Sequence, residues 1–213
     1  MSDDRSGRTK VKICGIRDEP ALDAATDAGA DWIGFVFFAR SPRCIAPQDA
    51  AVLYRRLDGK ASAVGLFVEP DEADIERVLQ QVPLDILQLY TTPERAGFFR
   101  SRFGRPVWLA YGVSRRDQLP TTHSLDGLVI ESRAPDDASR PGGNGLSFDW
   151  SILQGWHAPA PWLLAGGLTP DNVGGAIAQS GASAVDVSSG VESSPGCKDP
   201  ALIHRFVRSA GAG

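Results

Sequence analysis

Short runs of β-branched and aromatic residues alternate along the chain with longer helix-like stretches, and the alternation persists from end to end. Residues 11–14 read as a strand and residues 19–29 as a helix closed by Gly29. Residues 32–37 form a second strand, and 47–57 a helix with Pro47 suited to its first turn. A third strand over 63–68 leads into a helix over 71–81 with an acidic first turn, where the helix dipole favours negative charge. Strand 85–90, helix 93–102, strand 107–111 and a short segment near 114–119 follow. Strand 127–131 runs into a long Gly- and Pro-bearing loop over 132–147, then a short helix from Phe148 or Asp149. The last two units are strand 162–165 with helix 170–179, and strand 184–187 with helix 199–209.

Strict strand–helix alternation implies a parallel sheet covered by helices. Eight such units predict closure into a (β/α)₈ TIM barrel, a single domain over residues 10–210 behind a flexible N-terminal tail of residues 1–9. An open doubly wound sheet is the competing architecture, and counting units leaves it open. The length, 213 residues, suits one such domain. Residues 211–213 are expected to fray, and the loop over 132–147 is long enough to carry function.

Side chains alternate inward and outward along a strand. Val11, Ile13, Leu87, Leu89, Leu128, Ile130, Val185 and Val187 give the apolar face that the helices cover. The opposite parity turns Lys12, Cys14, Gln88, Tyr90, Glu131 and Asp186 into the barrel. Cys14, Tyr90 and Glu131 end their strands, so they reach the carboxyl-terminal mouth where such barrels carry their active sites. A buried charge needs a partner, and Lys12 and Asp186 on the first and eighth strands can pair; a direct ligand role is the other reading. A cation on Lys12 would lower the pKa of the Cys14 thiol. Ala165-Gly166-Gly167-Leu168 and Ser188-Ser189-Gly190-Val191 follow the last two strands, where these barrels recurrently bind phosphate.

Composition and charge narrow the classes. A formal net charge of −4 argues against a nucleic-acid partner. Cys14, Cys44 and Cys197 form no CxxC and no disulfide framework, which points to a reducing, cytoplasmic setting. The polar start and the lack of any long apolar run predict neither a secretion signal nor a membrane partner. His123, His157 and His204 are scattered, so no metal is expected, and no GxGxxG follows the first strand. The five tryptophans read as packing.

These residues resemble a known family. Val11-Lys12-Ile13-Cys14-Gly15-Ile16 is similar to the opening of phosphoribosylanthranilate isomerases, and Gly34-Phe35-Val36-Phe37 with Ser41-Pro42-Arg43 to their second unit. The runs Leu163-Leu164-Ala165-Gly166-Gly167-Leu168-Thr169-Pro170-Asp171-Asn172-Val173 and Val185-Asp186-Val187-Ser188-Ser189-Gly190-Val191-Glu192-Ser193, with Lys198-Asp199-Pro200 behind, match closely. The resemblance implies an Amadori rearrangement in tryptophan biosynthesis. A phosphoribosyl aminoaldose becomes an aminoketose by acid and base catalysis, with no cofactor. It implies Cys14 as general base and Arg43 as the holder of the substrate carboxylate. Gly166, Gly167, Ser189 and Gly190 would grip phosphate, with Gln88, Tyr90 and Asp186 in the substrate site. The implied partner is a small phosphorylated aminosugar, bound by a monomer or homodimer.

Three departures cluster on the acid side. The family's aspartate acid is Glu131 here, one methylene longer. Asp126 begins the same strand, roughly 16 Å from the mouth, and cannot replace it. The family's Gln-Leu-His-Gly is Gln88-Leu89-Tyr90-Thr91, and in its glycine loop Asn144 and Leu146 replace a threonine and a lysine. Two alternatives stay open on the sequence: a paralogue acting on another aminosugar phosphate, or a phosphosugar-binding protein without catalysis.

Overall fold

Eight parallel strands join edge to edge in chain order and close into a barrel. They are β1 (Lys10–Cys14), β2 (Trp32–Val36), β3 (Ser62–Val68), β4 (Ile86–Tyr90), β5 (Val107–Val113), β6 (Gly127–Ser132), β7 (Trp162–Leu164) and β8 (Ala184–Val187). Closure runs through the β1–β8 ladder, where Lys12 lies opposite Asp186 and Ile13 opposite Val187. That ladder excludes the open sheet. This is a computed structural model, and it describes residues 7–133 and 147–212.

Six α-helices wrap the barrel: α1 (Glu19–Asp27), α2 (Pro47–Leu57), α3 (Glu72–Leu79), α4 (Pro93–Phe103), α5 (Val173–Ser180) and α6 (Pro200–Gly211). Among the described residues, units five and six carry 3₁₀ turns, at Arg116–Gln118 and Trp150–Leu153, in place of α-helices. Helix starts follow the capping chemistry. Asp18 accepts from Ala21 N at 2.9 Å, Asp71 and Asp74 form a reciprocal box, and Asp199 accepts from Ala201 N at 2.8 Å. Helix α5 begins later than the pattern predicts. The Asn172 side chain accepts from Thr169 N at 2.7 Å and donates to Gly167 O at 2.9 Å, which diverts residues 169–172 into a side-chain-braced turn.

Two expectations at the ends of the chain need correction, and one element is new. Residues 1–6 lie outside the described residues, but Arg8 and Thr9 are no free tail. Arg8 pairs with Asp31 at 2.8 Å, and Thr9 is buried. Gly211 ends α6 rather than fraying. A hairpin of β9 (Glu192–Ser194) and β10 (Cys197–Lys198) follows β8, its strands too short to leave a period in the sequence.

The parity reading holds. Val11, Ile13, Leu87, Leu89, Leu128, Ile130, Val185 and Val187 are buried in the shell between strands and helices. Inside, Val64, Trp108, Val129, Leu163 and Ala184 pack the barrel beneath the mouth, with Ala165 at the upper end of this cluster and Trp32 edge-on to Trp108 at 5.2 Å between centroids. A further inner layer holds Lys12 and Gln88, both fully buried. Cys14, Val36 and Leu66 come next, with Tyr90 against them. The barrel is therefore plugged below and open only where Cys14 and its neighbours lie.

Candidate active site

The β1 strand ends at Cys14, and its neighbour across the ladder is Gly34 of β2. A Cβ on Gly34 would sit 2.9 Å from the Cys14 sulfur and 3.2 Å from Lys12 Nζ, so the missing side chain makes room for both groups. The sequence reading gave Gly34 no role; a glycine inside an otherwise branched and aromatic strand was the available signal.

Lys12 Nζ lies 3.0 Å from Asp186 Oδ1, the ion pair expected across β1 and β8. Burial pulls the lysine's pKa down, but Asp186 and the nearby thiol outweigh it, and the ammonium is held above its ordinary value. The expected depression of Cys14 is not what the surroundings produce. Burial pushes the thiol up, and although Lys12 pulls it down through charge and a hydrogen bond, the net direction is upward.

Cys14, Tyr90, Glu131 and Asp186 line one cavity at the carboxyl-terminal mouth, walled on its apolar side by Val36, Phe38, Leu66 and Val68. Tyr90 is kept in its neutral form well above its ordinary value, first by burial and then by the charge of Glu131. Glu131 is 4% exposed, on the wall formed by β6, with β7 and β8 between it and β1. Asp126 lies at the other end of β6, bound by Arg100 at 2.7 and 2.9 Å, far from the mouth as expected.

The two glycine turns meet at the same cavity. Gly166, Gly167, Ser188 and Ser189 line it. Gly166 and Gly167 have φ of 86° and 64°, a region open to glycine at little cost, and no Cβ stands between their backbone and a ligand. Gly190 does not line the cavity; it seats one turn on the other. A Cβ there would lie 1.8 Å from Leu168 O, so Gly190→Ala must push the turns apart. We expect that variant to weaken inorganic-phosphate binding at least about 30-fold, read by calorimetry, since several charge-assisted hydrogen bonds lose their geometry. Unchanged affinity would remove the turns from anion binding.

Arg43 also lines the cavity, on the loop after β2. Its stem passes Gly15, where a Cβ would fall 2.7 Å from Arg43 Cδ. Beside its expected role of holding a substrate carboxylate, Arg43 has a partner within the protein. The guanidinium already holds the protein's own Glu192, Nε to Oε1 at 2.7 Å and Nη2 to Oε2 at 2.8 Å. Glu192 stands 149 positions away and no spacing announced the pair. Gln88 stands apart from the other expected site residues. It is fully buried and its amide atoms have no hydrogen-bond partner among the described residues, but it lies beneath the cavity and does not line it. Gly142, Gly143, Asn144, Gly145 and Leu146, with most of the loop over 132–147, lie outside the described residues. Among the described residues, no three His, Cys, Asp or Glu side chains are grouped to hold a metal ion.

Comparison with known proteins adds an independent line. The family model for N-(5'-phosphoribosyl)anthranilate (PRA) isomerase matches residues 11–209. An N-(5'-phosphoribosyl)anthranilate isomerase of Acidiphilium cryptum is 53% identical over 204 residues, covering 95% of this chain and 98% of that protein. The enzyme of the same name from Paramagnetospirillum magneticum is 49% identical, covering 96% and 98%. The crystal structure of phosphoribosyl anthranilate isomerase from Thermotoga maritima superposes with a TM-score of 0.83 at 32% identity, covering 96% of this chain and all of that one. A phosphoribosyl anthranilate isomerase in complex with reduced 1-(o-carboxyphenylamino)-1-deoxyribulose 5-phosphate superposes with a TM-score of 0.81 at 31% identity, with 96% and 100% covered.

Proposed function

This chain belongs to the N-(5'-phosphoribosyl)anthranilate isomerase family, and we propose that it performs the family's isomerisation with Cys14 as general base and Glu131 as general acid. The reaction converts the aminoaldose N-(5-phosphoribosyl)anthranilate to 1-(2-carboxyphenylamino)-1-deoxyribulose 5-phosphate, a step of tryptophan biosynthesis.

The chemistry asks for two proton transfers at one sugar. Glu131 gives a proton to the ribose ring oxygen as the C1′–O bond breaks and the anilino nitrogen forms the imine. The Cys14 thiolate takes the proton from C2′, and the electron pair left behind becomes the C1′=C2′ bond of the enolamine. Tautomerisation moves a proton to C1′ and leaves the ketone at C2′. Protons and electron pairs balance within the substrate, so nothing is oxidised or reduced overall.

The single observation that carries this reading is the shared cavity. Cys14 on β1 and Glu131 on β6 line the same mouth as the turns after β7 and β8. A phosphate seated on Gly166, Gly167 and Ser189, with Gly190 bracing the turn, would hold the ribose between thiol and carboxyl. Asp186 fixes the Lys12 ammonium beneath the thiol. Tyr90 lines the same cavity as the longer acid. Arg43 lines the wall where the substrate's carboxylate would lie, and a guanidinium suits a planar anion. Every group invoked comes from one chain, so a monomer suffices whether or not a homodimer forms. The three cysteines are free thiols, which supports a reducing, cytoplasmic setting. Among the described residues no helix is long and apolar enough to cross a membrane.

Rescue of a tryptophan auxotroph lacking this isomerase tests the reading. The wild-type chain should restore growth on minimal medium, and Cys14→Ala should not. Failure of the wild-type chain to rescue, with soluble protein present, would count against it.

A further inference from the structure

A buried polar cluster stands behind the cavity wall rather than in it. The Lys198 ammonium, on β10, donates to Ser188 O at 2.9 Å and to Glu192 Oε1 at 2.7 Å, and lies 3.4 Å from Ser188 Oγ. Ser188 opens the turn after β8, and its hydroxyl donates to Cys14 O at 3.1 Å. Glu192 receives the Arg43 fork and, at 3.2 Å, the Gly196 N–H. The tip of the hairpin is pressed on the loop that carries Arg43. A Cβ on Gly196, whose φ is 83°, would lie 2.5 Å from Pro42 O, which also accepts from Arg17 at 2.9 Å. Lys198 is 8% exposed, and neither it nor Glu192 lines the cavity.

One buried ion pair therefore touches both anion-binding elements: Lys198 holds the turn after β8, and Glu192 holds Arg43. Resting on the function proposed above, we infer that Glu192 and Lys198 are positioning residues that set the distance between the phosphate turn and the carboxylate grip, matching the two anionic ends of one substrate. The physical basis is conformational. A long guanidinium side chain has many rotamers, and a bidentate carboxylate selects one of them before substrate arrives. The Lys198 bond to a backbone carbonyl does the same for the turn. Neither residue touches the reacting atoms, so their loss should fall on binding; the Lys198 charge also pulls the Cys14 thiol down, so Lys198→Met should in addition move the pH profile toward the alkaline side.

The test is steady-state kinetics on phosphoribosylanthranilate for wild type, Glu192→Gln, Lys198→Met and the double variant. Melting temperature and the fraction of active sites are measured alongside. With kcat compared at the alkaline plateau, where the thiol is ionised in every variant, each single variant should raise KM at least about tenfold with kcat per active site within about threefold, and the double should be no worse than the poorer single by more than about twofold. Lys198→Met should also weaken competitive inhibition by inorganic phosphate and by anthranilate together. A KM within about twofold of wild type, with only melting temperature or active fraction reduced, would make the cluster a structural brace and overturn the inference. So would a loss confined to kcat. If one variant does not fold, the other carries the same readout. If wild type itself does not turn over phosphoribosylanthranilate, the functional reading fails separately. Calorimetric binding of inorganic phosphate and anthranilate to wild type and Lys198→Met then decides the positioning role, with unchanged affinities overturning it.

Discussion

Replacing Cys14 by serine is expected to lower kcat by about 10³-fold or more, with KM moving only a few-fold. The sulfur sits at the end of β1 and lines the cavity, and serine is close to it in shape, so the loss is chemical. A hydroxyl gives up its proton far less readily than a thiol. The same residue sets the pH profile. Burial pushes the Cys14 thiol above its ordinary range despite the opposing pull of Lys12. The neutral form therefore dominates at pH 7, and the thiolate fraction grows with pH. The kcat/KM of wild type should climb roughly tenfold per pH unit just above neutrality and level off only above the ordinary cysteine value near 8.5. Lys12→Met removes the pull and should shift that rise further into the alkaline range. Stopped-flow or initial-rate profiles across pH 6 to 10 read both effects, and a flat wild-type profile would remove Cys14 as the base.

Glu131→Gln carries the second large effect. The amide keeps the shape of the side chain and cannot protonate the ring oxygen, so kcat should fall on the order of 10²- to 10⁴-fold. Glu131→Asp is the informative companion. It restores the acid of the family but draws the carboxyl back by about one methylene from its place in the cavity. A displacement near an ångström costs on the order of a hundredfold, so Glu131→Asp should be impaired rather than neutral or improved. Full activity in Glu131→Gln would move the acid to another group.

The barrel was legible because a parallel strand buried on both faces still alternates in chemistry. Lys12, Cys14, Gln88, Tyr90, Glu131 and Asp186 stood out as polar positions of one parity in otherwise apolar strands, and the register that sets Lys12 opposite Asp186 made their pairing readable. The turns at Gly166 and Gly190 were legible for a related reason, since glycine marks close approach of backbone. What the strand pattern could not carry was depth and reach. Gln88 has the right parity but stops a layer below the cavity. The Arg43–Glu192–Lys198 cluster joins a loop to a hairpin of three- and two-residue strands, and no periodicity survives in elements that short. The Cys14 thiol departs from what charge pairing alone implies, because its burial raises the pKa more than Lys12 lowers it, and burial leaves no mark in the strand pattern.

Growth of crystals with the reduced aminoketose phosphate bound tests the central geometry most directly. The account predicts phosphoryl oxygens within about 3 Å of backbone N–H groups in the turns after β7 and β8, and the Cys14 sulfur about 3–3.5 Å from C2′ with Glu131 on the opposite side of the sugar. A phosphoryl group seated elsewhere, or a C2′ that the thiol cannot reach, would contradict it.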